Sequence, residues 1–144
     1  MGCGTGLALP WFDGERVGVE LSGEILRLAH KAPDYILADI ETSPFRDDRF
    51  NLVLCLDVVE DLPSLRVVEE AHRILAKGGT FLLTTADKKH ELILQILEKL
   101  RLELPEGPHT WRESKEILQE VSKGGFSCTK WSRAPLVFYK CTRS

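Results

Sequence analysis

The sequence has no excess of positive charge, no apolar run of membrane-spanning length, no CxxC pair and no lysine-bearing phosphate loop, and each absence removes a class of function. Against 19 basic side chains stand 22 acidic ones, a formal charge of -3, so no global basic field exists to hold nucleic acid. No stretch approaches the ~20 apolar residues of a membrane helix, and no basic segment followed by an apolar one opens the chain. Membrane insertion and secretion are therefore disfavoured, and a cytoplasmic location is expected. Cys3, Cys55, Cys128 and Cys141 are widely scattered, with neither redox-pair nor zinc-like spacing, which predicts reduced thiols and no metal site. Phosphate binding of the GKS or GKT type is excluded by the absence of that loop. Low-complexity segments and internal repeats are missing as well.

What is there fits one globular domain over residues 1–144: 144 residues, 43% hydrophobic, suffice for a single core. Apolar runs and helical periodicities alternate, which predicts an α/β sheet. Strands are expected at 16–21 (RVGVEL), 34–39 (DYILAD), 51–56 (NLVLCL) and 80–85 (TFLLTT). The last two are continuously apolar, as in a parallel sheet covered on both faces. Helices are expected at 23–32, with Ser22 as cap and Ile25, Leu26 and Ala29 on one face; at 64–79, ended by Gly78; at 90–104; and at 112–125. Two final strands, 126–132 and 136–141, read as an antiparallel hairpin. After Glu120 the tail carries Lys123, Lys130, Arg133, Lys140 and Arg143 with no further acid, a pattern that keeps strand edges solvated or, alternatively, meets an anionic substrate.

The chemistry gathers at the start. Gly2, Gly4 and Gly6 form a GxGxG loop, Glu20 closes the next strand and Asp39 the one after it. Alternating glycines alone are weak evidence, but acids at the carboxyl ends of successive strands place all three features along one crevice, where an open α/β sheet binds an adenosine-containing ligand. A carboxylate there accepts hydrogen bonds from a ribose diol or an amine.

These residues resemble a known family. The segments GCGTG, GVELS, ADIETSPFRDDRFNLVLCLDVVEDL and EEAHRILAKGGTFLLTT look like successive signatures of class I S-adenosylmethionine-dependent methyltransferases, most of all the quinone-type and other small-molecule enzymes. Residues 107–126 resemble the region before that family's sixth strand. The resemblance implies a Rossmann-like, mostly parallel sheet with a C-terminal antiparallel hairpin, and transfer of a methyl group to a small-molecule acceptor. Gly2, Cys3, Gly4 and Gly6 would then face the methionine part of S-adenosylmethionine, with Glu20 on the ribose. Leu21 would pack on the adenine, whose amino edge Asp39 and the Ile40 backbone would read. Cys55 and Leu56 would lie under the sulfonium and amino group, and Asp57 and Glu60 would face the acceptor's entrance. His109 and Trp111 are further acceptor-side candidates, and His30, His72 and His90 are expected at helix surfaces.

The chain departs from that pattern in two ways. The strand that should end in the glycine loop is absent, together with the helix before it, and in the family's order that strand is central. Its loss leaves facing rows of unpaired backbone groups. The expected remedies are a partner chain or second copy completing the sheet, closure of the two halves, or a natural chain that begins earlier. Asp61 also stands where many relatives have histidine, which leaves no histidine base there. Two other readings stay open: a non-catalytic methyltransferase-like binding module, and a nicotinamide-dependent oxidoreductase, which the lack of GxGxxG spacing disfavours. Trp11, Trp111 and Trp131 are expected mainly in the core.

Overall fold

A computed structural model describes residues 1–29, 34–88 and 112–144. The helix expected at 90–104, together with His30, His90, His109 and Trp111, lies outside the described residues. Strand β1 (Val17–Glu20) leads through helix α1 (Gly23–Arg27) to β2 (Asp34–Leu37), and the two strands pair in parallel from Val17↔Asp34 to Glu20↔Leu37. Ser22 caps α1 as expected, its Oγ accepting from the Ile25 amide at 3.3 Å. The helix is shorter than its periodicity suggested, and none of its residues is buried.

The second sheet is built from β3 (Phe50–Leu56), α2 (Arg66–Ile74), β4 (Leu75–Ala86), β5 (Phe126–Arg133) and β6 (Leu136–Arg143), with α3 (Ser114–Lys123) before the hairpin. Its order is β3-β4-β6-β5; β3 and β4 are parallel, while β6 is antiparallel to both neighbours. The expected α/β sheet with a terminal antiparallel hairpin is thus present, divided into two sheets. Among the described residues β1 pairs only with β2, and β3 only with β4.

One boundary moved substantially. Gly78 does not end α2; the helix stops at Ile74, and Gly78, at φ +74°, lies inside β4. The cause is distant in sequence: the amides of Asp48 and Arg49 bond the carbonyls of Arg73 and Ile74 at 3.1 and 2.8 Å. With those carbonyls taken from outside, the chain is free to turn extended at Leu75, which pairs with Phe50. Glu113 and Glu116 close a capping box at the start of α3.

The core joins Val53 and Cys55 of β3, Phe81 and Leu83 of β4, and Val137 and Tyr139 of β6 to Val68 and Ala71 of α2 and to Ile117 and Val121 of α3. Three expectations fail around it. Cys128 and Cys141 are bonded to each other, because the β5–β6 register sets them directly opposite, so only Cys3 and Cys55 are free thiols. Trp11 is 86% exposed and Trp131 stacks on Phe138 at the edge strand, so neither packs in the core. His72 is half-buried rather than at the surface, edge-on to Phe126 with ring centroids 5.3 Å apart.

A polar network fixes the loop after β2 onto α2. The buried Glu70 carboxylate accepts from Arg73 Nε at 2.9 Å and Nη2 at 2.6 Å, and from the Ser43 amide at 2.9 Å and hydroxyl at 2.5 Å. Arg73 reaches on to Asp47 at 2.6 Å. Burial alone would raise the Glu70 pKa, but the Arg73 guanidinium and the Ser43 donors outweigh it and hold the carboxyl below its ordinary value. The ionised form is therefore favoured by folding, and its contribution is lost as pH falls through the depressed folded value. Glu70→Ala, which leaves Arg73 and Ser43 without their acceptor, is expected to cost about 2 kcal/mol in urea denaturation at neutral pH. The deficit should shrink in acid, and an equal deficit at both pH values would count against the charge pairing.

Candidate functional site

The glycine loop is tied to both sheets. The Cys3 amide donates to the Val19 carbonyl at 2.9 Å, and the amino group of Met1 to the Leu54 carbonyl at 2.7 Å. All three glycines adopt positive φ, +62° at Gly2, +54° at Gly4 and +80° at Gly6, which disfavours any residue with a Cβ. Their surroundings differ. A Cβ on Gly2 would meet the Val58 side chain at 2.7 Å, and one on Gly6 the Tyr35 hydroxyl at 2.2 Å. A Cβ on Gly4 would meet nothing within 4 Å. Gly2 and Gly6 are needed for packing against protein, and Gly4 alone opens onto free space.

Glu20 ends β1 beneath this loop. Its Oε2 accepts from the Gly4 amide at 3.0 Å, and its Oε1 from the amides of Leu21 and Ser22, both at 3.0 Å. The carboxylate thus sets the loop's position while retaining acceptor capacity, since an ionised carboxylate offers about four lone-pair sites. Asp39 follows β2 and is exposed; one of its oxygens takes the Glu41 amide at 2.8 Å. Leu21, beside Glu20, is 71% exposed, an apolar side chain facing solvent at the crevice.

The third wall is the carboxyl end of β3. Asp57 is exposed and held at φ +53°, an uncommon conformation for a residue other than glycine. Thr84 at the end of β4 enforces it: its Oγ1 accepts from the Asp57 amide at 3.0 Å and donates to Asp57 Oδ1 at 2.9 Å. The sequence reading did not single out Thr84; the polar pair Thr84–Thr85 closing an apolar strand was the available signal. Glu60 is buried, with Oε1 accepting from the Ala86 amide at 3.3 Å and Oε2 without a hydrogen-bond partner among the described residues. Burial pushes its carboxyl above the ordinary glutamate range against the pull of that amide. Arg112 donates to the carbonyls of Leu62 at 2.6 Å and Val59 at 3.4 Å, fixing the turn that carries Glu60.

The structure brings Gly2, Cys3, Gly4, Gly6, Glu20 and Leu21 into direct contact or adjacency, with Asp39 at the end of the neighbouring strand and Asp57 at the β3 end beside Val58. The side chains of Ile40 and Cys55 are buried in the core, so any contact from Ile40 runs through its backbone, and Cys55 presents no surface. Burial raises the Cys55 thiol to about 12, which removes it as a nucleophile. Leu56 is half-buried at the strand end. Among the described residues, no group of acids, histidines and cysteines is placed to hold a metal ion, and no helix is long and apolar enough to cross a membrane. A cleft of about 340 Å³ lies apart from the crevice, between β1 and β3, and touches neither Glu20 nor Asp39.

Residues 1–83, the span containing the glycine loop, both acids and the β3 turn, match the family described as a methyltransferase domain. The chain belongs to this methyltransferase family. Two relatives set its range: an uncharacterized protein of Methanocaldococcus jannaschii is 28% identical over 132 residues, covering 90% of this chain and 64% of its own. The malonyl-[acyl-carrier protein] O-methyltransferase of Enterobacter lignolyticus is 33% identical over 133 residues, covering 85% of this chain and 51% of its own. The methyltransferase domain therefore spans less than two thirds of either relative. A crystal structure of a SAM-dependent methyltransferase from Thermotoga maritima superposes with a TM-score of 0.81, covering 100% of this chain and 80% of that one; at 21% identity it establishes the fold.

Two tests follow from the geometry. Gly6→Ala, which drives a Cβ into Tyr35, should destabilise the domain well beyond Gly4→Ala, whose cost is limited to a left-handed backbone of about 1–2 kcal/mol; thermal melts of the two variants would show this order or refute it. Glu60 supplies the second. An acid with a raised folded pKa binds its proton more tightly folded than unfolded, so stability is fullest below the ordinary glutamate range, falls as pH rises to the folded value and stays reduced above it. Glu60→Gln, which keeps an acceptor for Ala86, should gain in melting temperature relative to the parent between pH 4 and pH 7. A difference independent of pH would contradict the buried-carboxyl assignment.

Proposed function

We propose that the domain binds S-adenosylmethionine in the crevice formed by the glycine loop, Glu20, Leu21 and Asp39, and directs its methyl group to a small-molecule acceptor beside Asp57 and Glu60. The observation that carries this reading is Glu20: one carboxylate both anchors the Gly4 amide and stands at the end of β1, with open space above Gly4. When bound, the cofactor supplies a methyl group already activated on a sulfonium, so the protein's task is positioning and exclusion of water. Gly4 admits the ligand's close approach, Glu20 and Asp39 offer acceptors to hydroxyl and amino donors, and exposed Leu21 offers an apolar surface to a purine ring.

The two carboxyls at the β3 end favour an acceptor that carries an N–H or O–H group. Glu60, with one unpartnered oxygen and a pKa raised by burial, suits a hydrogen bond to such a group more than to a second anion. The malonyl-[acyl-carrier protein] O-methyltransferase similarity makes oxygen acceptors the first compounds to assay. His109, as a polar group, and Trp111, as an apolar one, remain candidates for the acceptor side from the sequence.

Isothermal calorimetry with S-adenosylhomocysteine tests the assignment, with NADH as the competing ligand. Saturable binding of S-adenosylhomocysteine alone is expected, weakened about tenfold or more by Glu20→Ala and by Asp39→Ala, given about 1.5–3 kcal/mol for a hydrogen bond to a charged group. Unchanged affinity in both variants, with unchanged melting temperatures, would move the pocket elsewhere; binding of NADH alone would replace methyl transfer with an oxidoreductase reading. Binding without turnover across amine, hydroxyl and carboxylate acceptors would favour the non-catalytic binding module.

A further inference from the structure

The second sheet ends at β5, which pairs only with β6 among the described residues. The register decides which backbone groups this open edge presents. In an antiparallel pair, facing residues alternate between those that exchange two backbone hydrogen bonds and those, with closer Cα atoms, that exchange none and turn their amides and carbonyls outward. Cys128 and Cys141 face each other with Cα atoms 4.0 Å apart, which is the close kind. The bond from the Ser144 amide to the Gly125 carbonyl, at 3.5 Å, falls in the opposite phase, as the alternation requires. Cys128, Lys130 and Ser132 therefore direct their amides and carbonyls away from β6, and Lys130 and Ser132 are exposed. Such an edge is a template for one more strand.

The surroundings select what pairs there. A groove between α3 and β5 is lined by Lys115, Gln119, Ser122 and Lys123 of the helix and by Lys130 of the strand, and no acid lines it, although α3 carries Glu116 and Glu120. Lys115 and Lys130 are exposed and have no ion-pair partner among the described residues, and Lys123 meets only Glu120, at 2.7 Å on an exposed surface. In a chain of formal charge -3 this groove is locally basic. Side chains alternate along a strand, so Trp131 lies on the other face of β5, where it is 46% exposed and stacked on Phe138. We propose that the β5 edge is a docking site for an acidic, extended segment of a partner protein, which adds to β5 as a strand with its carboxylates over Lys115, Lys123 and Lys130. Its side chains alternate as well, so acidic residues should alternate with apolar ones that lie beside Trp131. A second copy of β5 does not meet this requirement: its charged side chains, Lys130 and Arg133, are both positive and would repel those already there. A nucleic acid would satisfy the lysines but leave the amides and carbonyls of the edge unpaired. This inference does not depend on methyl transfer.

The test follows the fluorescence anisotropy of a labelled peptide, Glu-Val-Glu-Phe-Glu-Val-Glu, titrated with the whole chain. Three controls accompany it: the same peptide with lysine for glutamate, a form with its backbone amides N-methylated, and single-stranded RNA. Saturable binding of the acidic peptide alone is expected. Hydrogen exchange at the Lys130 and Ser132 amides should then slow at least tenfold, while the Thr129 and Trp131 amides, which face β6, change little. Lys115→Glu combined with Lys130→Glu, both at exposed positions, should weaken binding about tenfold or more with little change in melting temperature. Equal affinity for the N-methylated peptide or for RNA would reduce the groove to a general attraction for polyanions and overturn the proposal. So would unchanged affinity in the double variant, or no binding at millimolar peptide. A dimeric chain by light scattering, with the Lys130 and Ser132 amides protected before any peptide is added, would assign the edge to a second copy and overturn it equally.

Discussion

The molecule turns on the pinning of its first four residues. Met1 reaches β3, Cys3 reaches β1, and Gly4 is held by Glu20, so the loop sits where both sheets end. Everything assigned to the crevice depends on this. With the loop displaced, Glu20 would lose its Gly4 donor and become an ordinary strand-end acid, and the exposed Leu21 would border nothing. Backbone hydrogen bonds suit the task because they fix the loop without adding side chains above Gly4, leaving that space to a ligand.

Around that point the site divides its polar groups by environment. Asp39 is exposed and Glu20 half-buried, and both retain acceptor capacity. Asp57 is held by Thr84 in a conformation that costs energy and fixes its direction, whereas Glu60 is submerged and keeps its proton to higher pH. Three kinds of carboxyl thus arise at the strand ends, separated by their depth and hydrogen-bond partners rather than by their identity.

Much of this was legible in the sequence for a physical reason. Buried parallel strands need apolar residues on both faces, so β3 and β4 announced themselves as continuous runs, and Ser22 marked the start of α1 through a local hydrogen bond. The acids at successive strand ends were readable because strand order and direction are local consequences of alternating elements. What failed was set by distant partners. The end of α2 is decided by amides of Asp48 and Arg49, some 25 residues earlier in the chain. Likewise, the pairing of Cys128 with Cys141 follows from hairpin register, and the burial of His72 from the arrival of Phe126. The alternating glycines were visible in the sequence, but the packing of Gly2 against Val58 and Gly6 against Tyr35 could be seen only in three dimensions.

That packing gives the motif a grammar of its own. Gly6 and Tyr35 share one volume, with the ring of Tyr35 also lying within 2.7 Å of where a Cβ on Gly18 would be. A relative with a small residue in place of Tyr35 would release the steric demand at Gly6, leaving only its left-handed backbone, which asparagine or aspartate tolerates, whereas a Cβ on Gly18 would still meet Cys3 Sγ at 2.7 Å. Sequence divergence at the third glycine should therefore travel together with the middle of β2, while Gly4 varies only with the ligand. A loop that looks like one recognition signature is two independent records, one of the neighbouring strand and one of the open space above Gly4.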